Sequence, residues 1–138
     1  VKYLKKFESV EFDKDDIQIT LENIFQDIGD YSKNSSWKIR ADKMDYGYRV
    51  IIMPVVDWDA FDNYDHGVSI GKVGVDSIKR AMIYMSGYRC DIRTCSDGDG
   101  FTPSYSEEVY LPHIGGMFLF ARSSDEADYF EVTFRKKF

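Results

Sequence analysis

A chain of 138 residues is long enough for one domain and short for two. With 43% hydrophobic and 30% charged residues it falls among globular chains and outside the disordered class. Eighteen Lys and Arg against twenty-four Asp and Glu give a formal net charge of −6, which excludes duplex nucleic acid as a bulk partner because the fields repel. No apolar run approaches the roughly 18 residues of a membrane span, and no apolar stretch follows the basic start, so neither a membrane segment nor a secretory signal is expected. Cys90 and Cys95 form no second pair, so a zinc site of four ligands is not expected. Their spacing puts them on opposite faces of a strand, where a disulfide cannot close. Both read as reduced thiols, which points to a cytoplasmic protein.

The start of the chain is basic and aromatic. Lys2, Leu4, Lys5, Phe7, Glu8 and Ser9 form a pattern that resembles the leaders of small uncharacterised proteins of T4-like tailed phages. In some of these phages such leaders direct packaging into the prohead and are cleaved after a Glu. The aliphatic–small–Glu cleavage pattern is not clear before Glu8 or Glu11. The resemblance covers under a tenth of the chain and no functional motif, and it implies at most a viral accessory protein acting in the host cytoplasm, or a host-defence antagonist.

Residues 13–28 are predicted to form a helix. Ile17, Leu21, Ile24, Phe25 and Ile28 fall on one face, Asp13 or Asp15 caps the start, and Gly29 ends it. A polar connector follows at 31–36. Residues 37–44 alternate, with Trp37, Ile39 and Ala41 against Lys38, Arg40 and Asp42, as a half-buried strand does. A turn at Asp45, Tyr46 and Gly47 returns the chain into a second strand over 49–56, making a hairpin. Pro54 cannot donate to a ladder, so the chain is expected to leave the sheet there.

Residues 67–74 contain three glycines and read as a loop. A second helix is predicted over 76–86, with Ile78, Ala81, Met82 and Met85 on its apolar face and Gly87 as its stop. Residues 88–95 alternate again. Residues 96–116 carry no clear element beyond a short strand at 109–111, and loops of that length are often functional. Strands at 117–122 (buried) and 129–136 close the chain, with a polar turn at 123–128. The sum is a single α+β domain over 1–138. It is a two-layer sandwich whose mainly antiparallel sheet of about five strands is covered on one face by two helices.

One stretch departs from what packing alone requires. In residues 57–66, Trp58, Phe61 and Tyr64 recur at every third position, as do Asp59, Asp62 and Asp65, and His66 closes the set. A short helical turn would put aromatics along one edge and carboxylates along another. The plain reading is a solvated turn pinned to the core by its aromatics. The functional reading is a protein-binding surface of Trp58, Asp59, Phe61, Asp62, Tyr64, Asp65 and His66, supported by the 96–116 loop. The residues lack the spacing of a calcium loop, as do Asp97 and Asp99, so no metal site is assigned.

The uncovered sheet face offers an alternative. Lys38, Arg40, Arg89, Arg93 and Arg135 alternate there with Asp42, Asp91, Glu131 and Tyr129. Cross-strand ion pairs are the plain expectation. Arg40, Arg89, Arg93 and Arg135 would otherwise form a platform for a nucleotide or small phosphate ligand. A metal-assisted hydrolase is a third reading, needing His66 or His113 to converge with carboxylates. No catalytic residue and no cofactor is assigned, and the functional class preferred is a non-enzymatic protein-binding protein. An edge near Pro54 leaves a homo-oligomer open.

Overall fold

A computed structural model of the chain describes residues 14–28, 35–56, 66–97, 105–121 and 127–137. The leader, Gly29, the start of the 31–36 connector, 57–65, 98–104 and 122–126 lie outside the described residues, and so does most of the acidic–aromatic segment. In chain order the elements are α1 (Asp16–Phe25) with a 3₁₀ turn (Gln26–Ile28), β1 (Ser35–Met44), β2 (Gly47–Val56), β3 (His66–Val68) and α2 (Gly71–Tyr84). There follow β4 (Tyr88–Asp97), β5 (Tyr105–Glu108), a helical turn α3 (Leu111–Ile114), β6 (Leu119–Ala121) and β7 (Ala127–Lys136).

Every strand pairing is antiparallel, and the main sheet runs β1-β2-β7-β4-β5. The last strand in sequence is therefore the middle of the sheet. β2 faces β7 only from Gly47 to Ile52, and β6 meets β7 further along, at Ala121 and Ala127, carrying β3 on its own far side. Pro54 falls beyond the last β2–β7 pair, where its missing N–H leaves no gap in that ladder. The chain does not leave the sheet at Pro54, however, because β2 keeps its pairing with β1 through Val56.

Alternation in the strands sets the core. Ala41, Tyr48, Val50, Ile52, Ile92, Phe130, Val132 and Phe134 all point to one face and are buried. Leu21 and Phe25 from α1, Ile78 and Ala81 from α2, and Met85 at the C-cap of α2 cover that face. This is the two-layer α+β arrangement that the periodicity predicts. Burying a side chain such as Phe130 contributes about 2–3 kcal/mol, so the middle strand alone supplies a large share of the apolar burial.

The start of α1 is fastened to the sheet by polar groups. Asp15 caps the helix: its Oδ1 accepts from Gln18 N at 2.9 Å, and Gln18 Oε1 accepts in turn from Asp15 N at 2.9 Å. The other oxygen of Asp15 accepts from the buried Tyr48 hydroxyl at 2.6 Å. Gln18 Nε2 donates to Ala41 O at 3.1 Å, and Glu22 Oε2 accepts from Ala41 N at 3.2 Å. Both outward-facing backbone groups of Ala41 on β1 are thus satisfied by helix side chains.

Four further features differ from the sequence expectations. The stretch 67–74 is not a loop, since β3 and the first turn of α2 occupy most of it. Its glycines look like breakers, but Gly74 is needed for packing: a Cβ there would lie 2.3 Å from Ile70 Cβ. Met82 is turned off the apolar face of α2 and is exposed. The 96–116 stretch contains β5 and α3 instead of a strand at 109–111. The strand at 117–122 shortens to β6, where Leu119 is buried, and Phe118 just before it is 62% exposed.

The face away from the helices carries the predicted charges but is not wholly open. Ile51, Cys95 and Tyr129 are buried there with Met53 against them. Tyr129 is therefore an inner residue and not part of a polar platform. Cys90 packs on the helix-covered side and Cys95 on the other, as their spacing predicts, and both are free thiols.

Candidate functional site

The register brings Gly47, Arg135 and Arg89 into one row at the end of the sheet where the β1–β2 hairpin turns. The turn itself is two residues, Asp45 and Tyr46, between Met44 and Gly47. Both keep negative φ, and the positive value, +147°, falls on Gly47. A Cβ at Gly47 would lie 2.1 Å from the Phe134 carbonyl oxygen, so only glycine lets the hairpin end approach β7. That approach is fixed by Lys136 N, which donates to Tyr46 O at 2.9 Å.

The result is a cleft of about 700 Å³ lined by Asp45, Tyr46, Arg89, Arg135, Lys136 and Lys137. Four of the six lining residues are cationic and one is a carboxylate, in a chain whose formal net charge is −6. The Arg135 guanidinium lies over the Tyr46 ring, 4.2 Å from its centroid. Stacking of this kind holds a guanidinium in place without using its N–H groups. Burial pushes the Tyr46 phenol above its ordinary value against the opposing charges of Arg49 and Arg135, so at neutral pH it remains a hydroxyl donor. Asp91 stands behind the cations, 3.4 Å from Arg89 Nη2 and 3.7 Å from Arg135 Nε, and orients both by long contacts. Lys136 and Lys137 have no ion-pair partner among the described residues.

The four arginines assigned to a ligand platform do not act as one group. Arg89 and Arg135 lie together in the cleft. Arg40 is bound to Asp42 at 2.9 Å, and the same Asp42 oxygen also takes Arg49 at 2.9 Å. Arg93 sits opposite Glu131 on β7 and Glu108 on β5. The broad basic face is thus a set of charge arrangements along and across the strands, and the cationic excess is gathered at one end. Sequence reading missed Lys136, Lys137 and Tyr46 as partners of the two arginines. The hairpin turn at 45–47 and the alternation of 129–136 were the available signals, since together they put both strand ends at the same edge.

Of the acidic–aromatic set, Trp58, Asp59, Phe61, Asp62, Tyr64 and Asp65 lie outside the described residues, and His66 is described only as the backbone partner of Ala121. His113 is exposed on α3, with its ring 5.5 Å from that of Tyr110. No cluster of three or more His, Cys, Asp or Glu that could hold a metal ion occurs among the described residues. Burial, with the Asp91 charge adding to it, pushes the Cys90 thiol up to about 12, and burial raises Cys95 as well, so both resist becoming nucleophilic thiolates. No helix among the described residues is long and apolar enough to cross a membrane.

No family model, no curated protein and no solved structure matches the chain.

Proposed function

We propose that this is a binding protein that captures a phosphate-bearing small ligand in the cleft at the hairpin end of the sheet. The observation that carries the reading is the gathering of Arg89, Arg135, Lys136 and Lys137 around one hollow while the chain as a whole is acidic. Guanidinium groups present paired N–H donors that match phosphate oxygens, and lysines add point charges. The volume lies within the range typical of small-ligand sites. Tyr46 contributes a hydroxyl and keeps Arg135 oriented, so the recognition group is largely formed before the ligand arrives.

Isothermal titration with pyrophosphate at low and high salt tests this. Binding that weakens with salt, and weakens by about 10-fold or more in Arg135→Ala, supports the reading. Arg40→Ala serves as the control, because Arg40 is held at Asp42 outside the cleft. Equal losses in the two variants, or no binding by the unmodified protein, would count against it.

A further inference from the structure

The wall of the cleft continues past Arg89 and Lys137. Beyond these two side chains a second hollow of about 630 Å³ opens between the end of α2 and the start of β4. Its lining adds Met82, Ile83, Ser86, Tyr88 and Cys90 to the shared Arg89 and Lys137. The two hollows share these last two residues and adjoin, basic on one side and on the other largely apolar, with the Ser86 and Tyr88 hydroxyls.

The apolar part is not explained by the core. Leu21, Phe25, Ile78, Ala81 and Met85 already close the helix layer over the sheet. Met82 and Ile83 face away from it and are 38% and 75% exposed. Single exposed apolar residues are ordinary, but here two of them border a hollow that an aromatic side chain, Tyr88, also lines. Tyr88 is held in place by an edge-on contact with Tyr48, at 6.1 Å and 69°. A fixed ring flanked by flexible apolar side chains, with a Ser hydroxyl nearby, suits a flat heterocycle that stacks and hydrogen-bonds at its edge.

We infer that the ligand is a nucleoside phosphate, with its phosphates between Arg89, Arg135, Lys136 and Lys137 and its base against Met82, Ile83 and Tyr88. The inference rests on the anion-binding reading of the first cleft and extends it to the class of ligand. Two features favour a nucleotide over an inorganic phosphate or a sugar phosphate. The combined space far exceeds a phosphate chain, and an apolar wall adjoins the cations where a sugar alone would leave it in water. An acyl phosphate would want an enclosed apolar channel, whereas this hollow is open and contains Ser86.

The test compares ADP, GDP, CDP and UDP with pyrophosphate, which matches their phosphate count, and with dodecyl phosphate, using calorimetry on the full chain. At least one nucleoside diphosphate should bind ~5-fold or more tightly than pyrophosphate, as base stacking of about 1–3 kcal/mol implies. The double variant Met82→Ala/Ile83→Ala should abolish that advantage and leave pyrophosphate affinity unchanged. Both side chains are surface-exposed, so the variant should fold, and its melting temperature checks that it does. Equal affinity for pyrophosphate and all four nucleotides would overturn the nucleotide inference while leaving the anion cleft standing. Tighter binding of dodecyl phosphate than of any nucleotide would also overturn it. Absence of binding by every probe would remove the cleft reading as well.

Discussion

Asp15 offers the sharpest test of how α1 is held, because one carboxylate performs two separable tasks. It caps the helix at Gln18 N, and it accepts from the buried Tyr48 hydroxyl at 2.6 Å. Replacing it by Ala removes a cap worth about 1 kcal/mol. It also strands a buried phenol, and hydrogen bonds to charged groups are worth about 1.5–3 kcal/mol. The Lys43 contact, at 3.6 Å and mostly in solvent, adds at most a few tenths. Asp15→Ala should therefore cost about 2–4 kcal/mol. With unfolding entropy near 2.1 cal/mol/K per residue, that is a fall in Tm of roughly 7–14 °C.

The two tasks separate by choice of variant. Asp15→Asn keeps a good cap and loses the charge, while Tyr48→Phe keeps the cap and loses the hydroxyl. A double-mutant cycle between Asp15→Ala and Tyr48→Phe, read by urea unfolding, should give a coupling of about 1–2 kcal/mol. Additivity within about 0.5 kcal/mol would refute the claim that the two groups act together. The pH dependence follows from the same geometry. Burial alone would raise the Asp15 carboxyl, but the bonds from Tyr48 and Gln18 and the Lys43 charge outweigh it and hold it below its ordinary value. A depressed carboxyl contributes stability that is fully present above the unfolded value, about pH 4, and that is lost as pH falls through the lower folded value. The acid limb of the stability curve should accordingly be shallower in Asp15→Asn.

Gly74→Ala should destabilise by about 1–3 kcal/mol in chemical denaturation, reversing the usual helix gain, because the new Cβ would collide with Ile70. The companion Gly74→Ala/Ile70→Gly variant, which removes the Ile70 Cβ as well as the rest of its side chain, should show less than the sum of the single losses. Asp128 accepts from Ser96 Oγ at 2.7 Å and from Phe120 N at 3.0 Å, joining β6 to the main sheet. Asp128→Ala should cost about 2–4 kcal/mol, and hydrogen exchange at the Phe120 amide should accelerate ahead of the β2 and β7 amides.

The long strands were legible because their alternation is complete. Trp37 to Ala41 and Phe130 to Phe134 carry an apolar residue at every second position, and the faces follow from that. β3, β5 and β6 were harder, being three or four residues long, with too few positions to establish a period. The start of α2 was hidden by Gly71 and Gly74, which signal a loop unless the packing of Ile70 is known. The candidate site shows the same division. Arg89 and Arg135 were readable as outward-facing residues of strands. Their gathering with Lys136, Lys137 and Tyr46 depends on which strands are neighbours, and nothing local states that β7 lies between β2 and β4.

The fastening of Ala41 by Gln18 and Glu22 has a kinetic consequence. β1 is the terminal strand of the path, ten residues long, and among the described residues no strand pairs with its outer edge. Such an edge is a template for another chain. Here an amide and a carboxylate from a helix occupy the donor and acceptor an incoming strand would use. Self-association of this protein should then be gated by detachment of α1, a local event far less demanding than unfolding the sheet. The rate of aggregation would follow the hold of Asp15 on Tyr48, and a solution of the protein would age according to the grip of one helix.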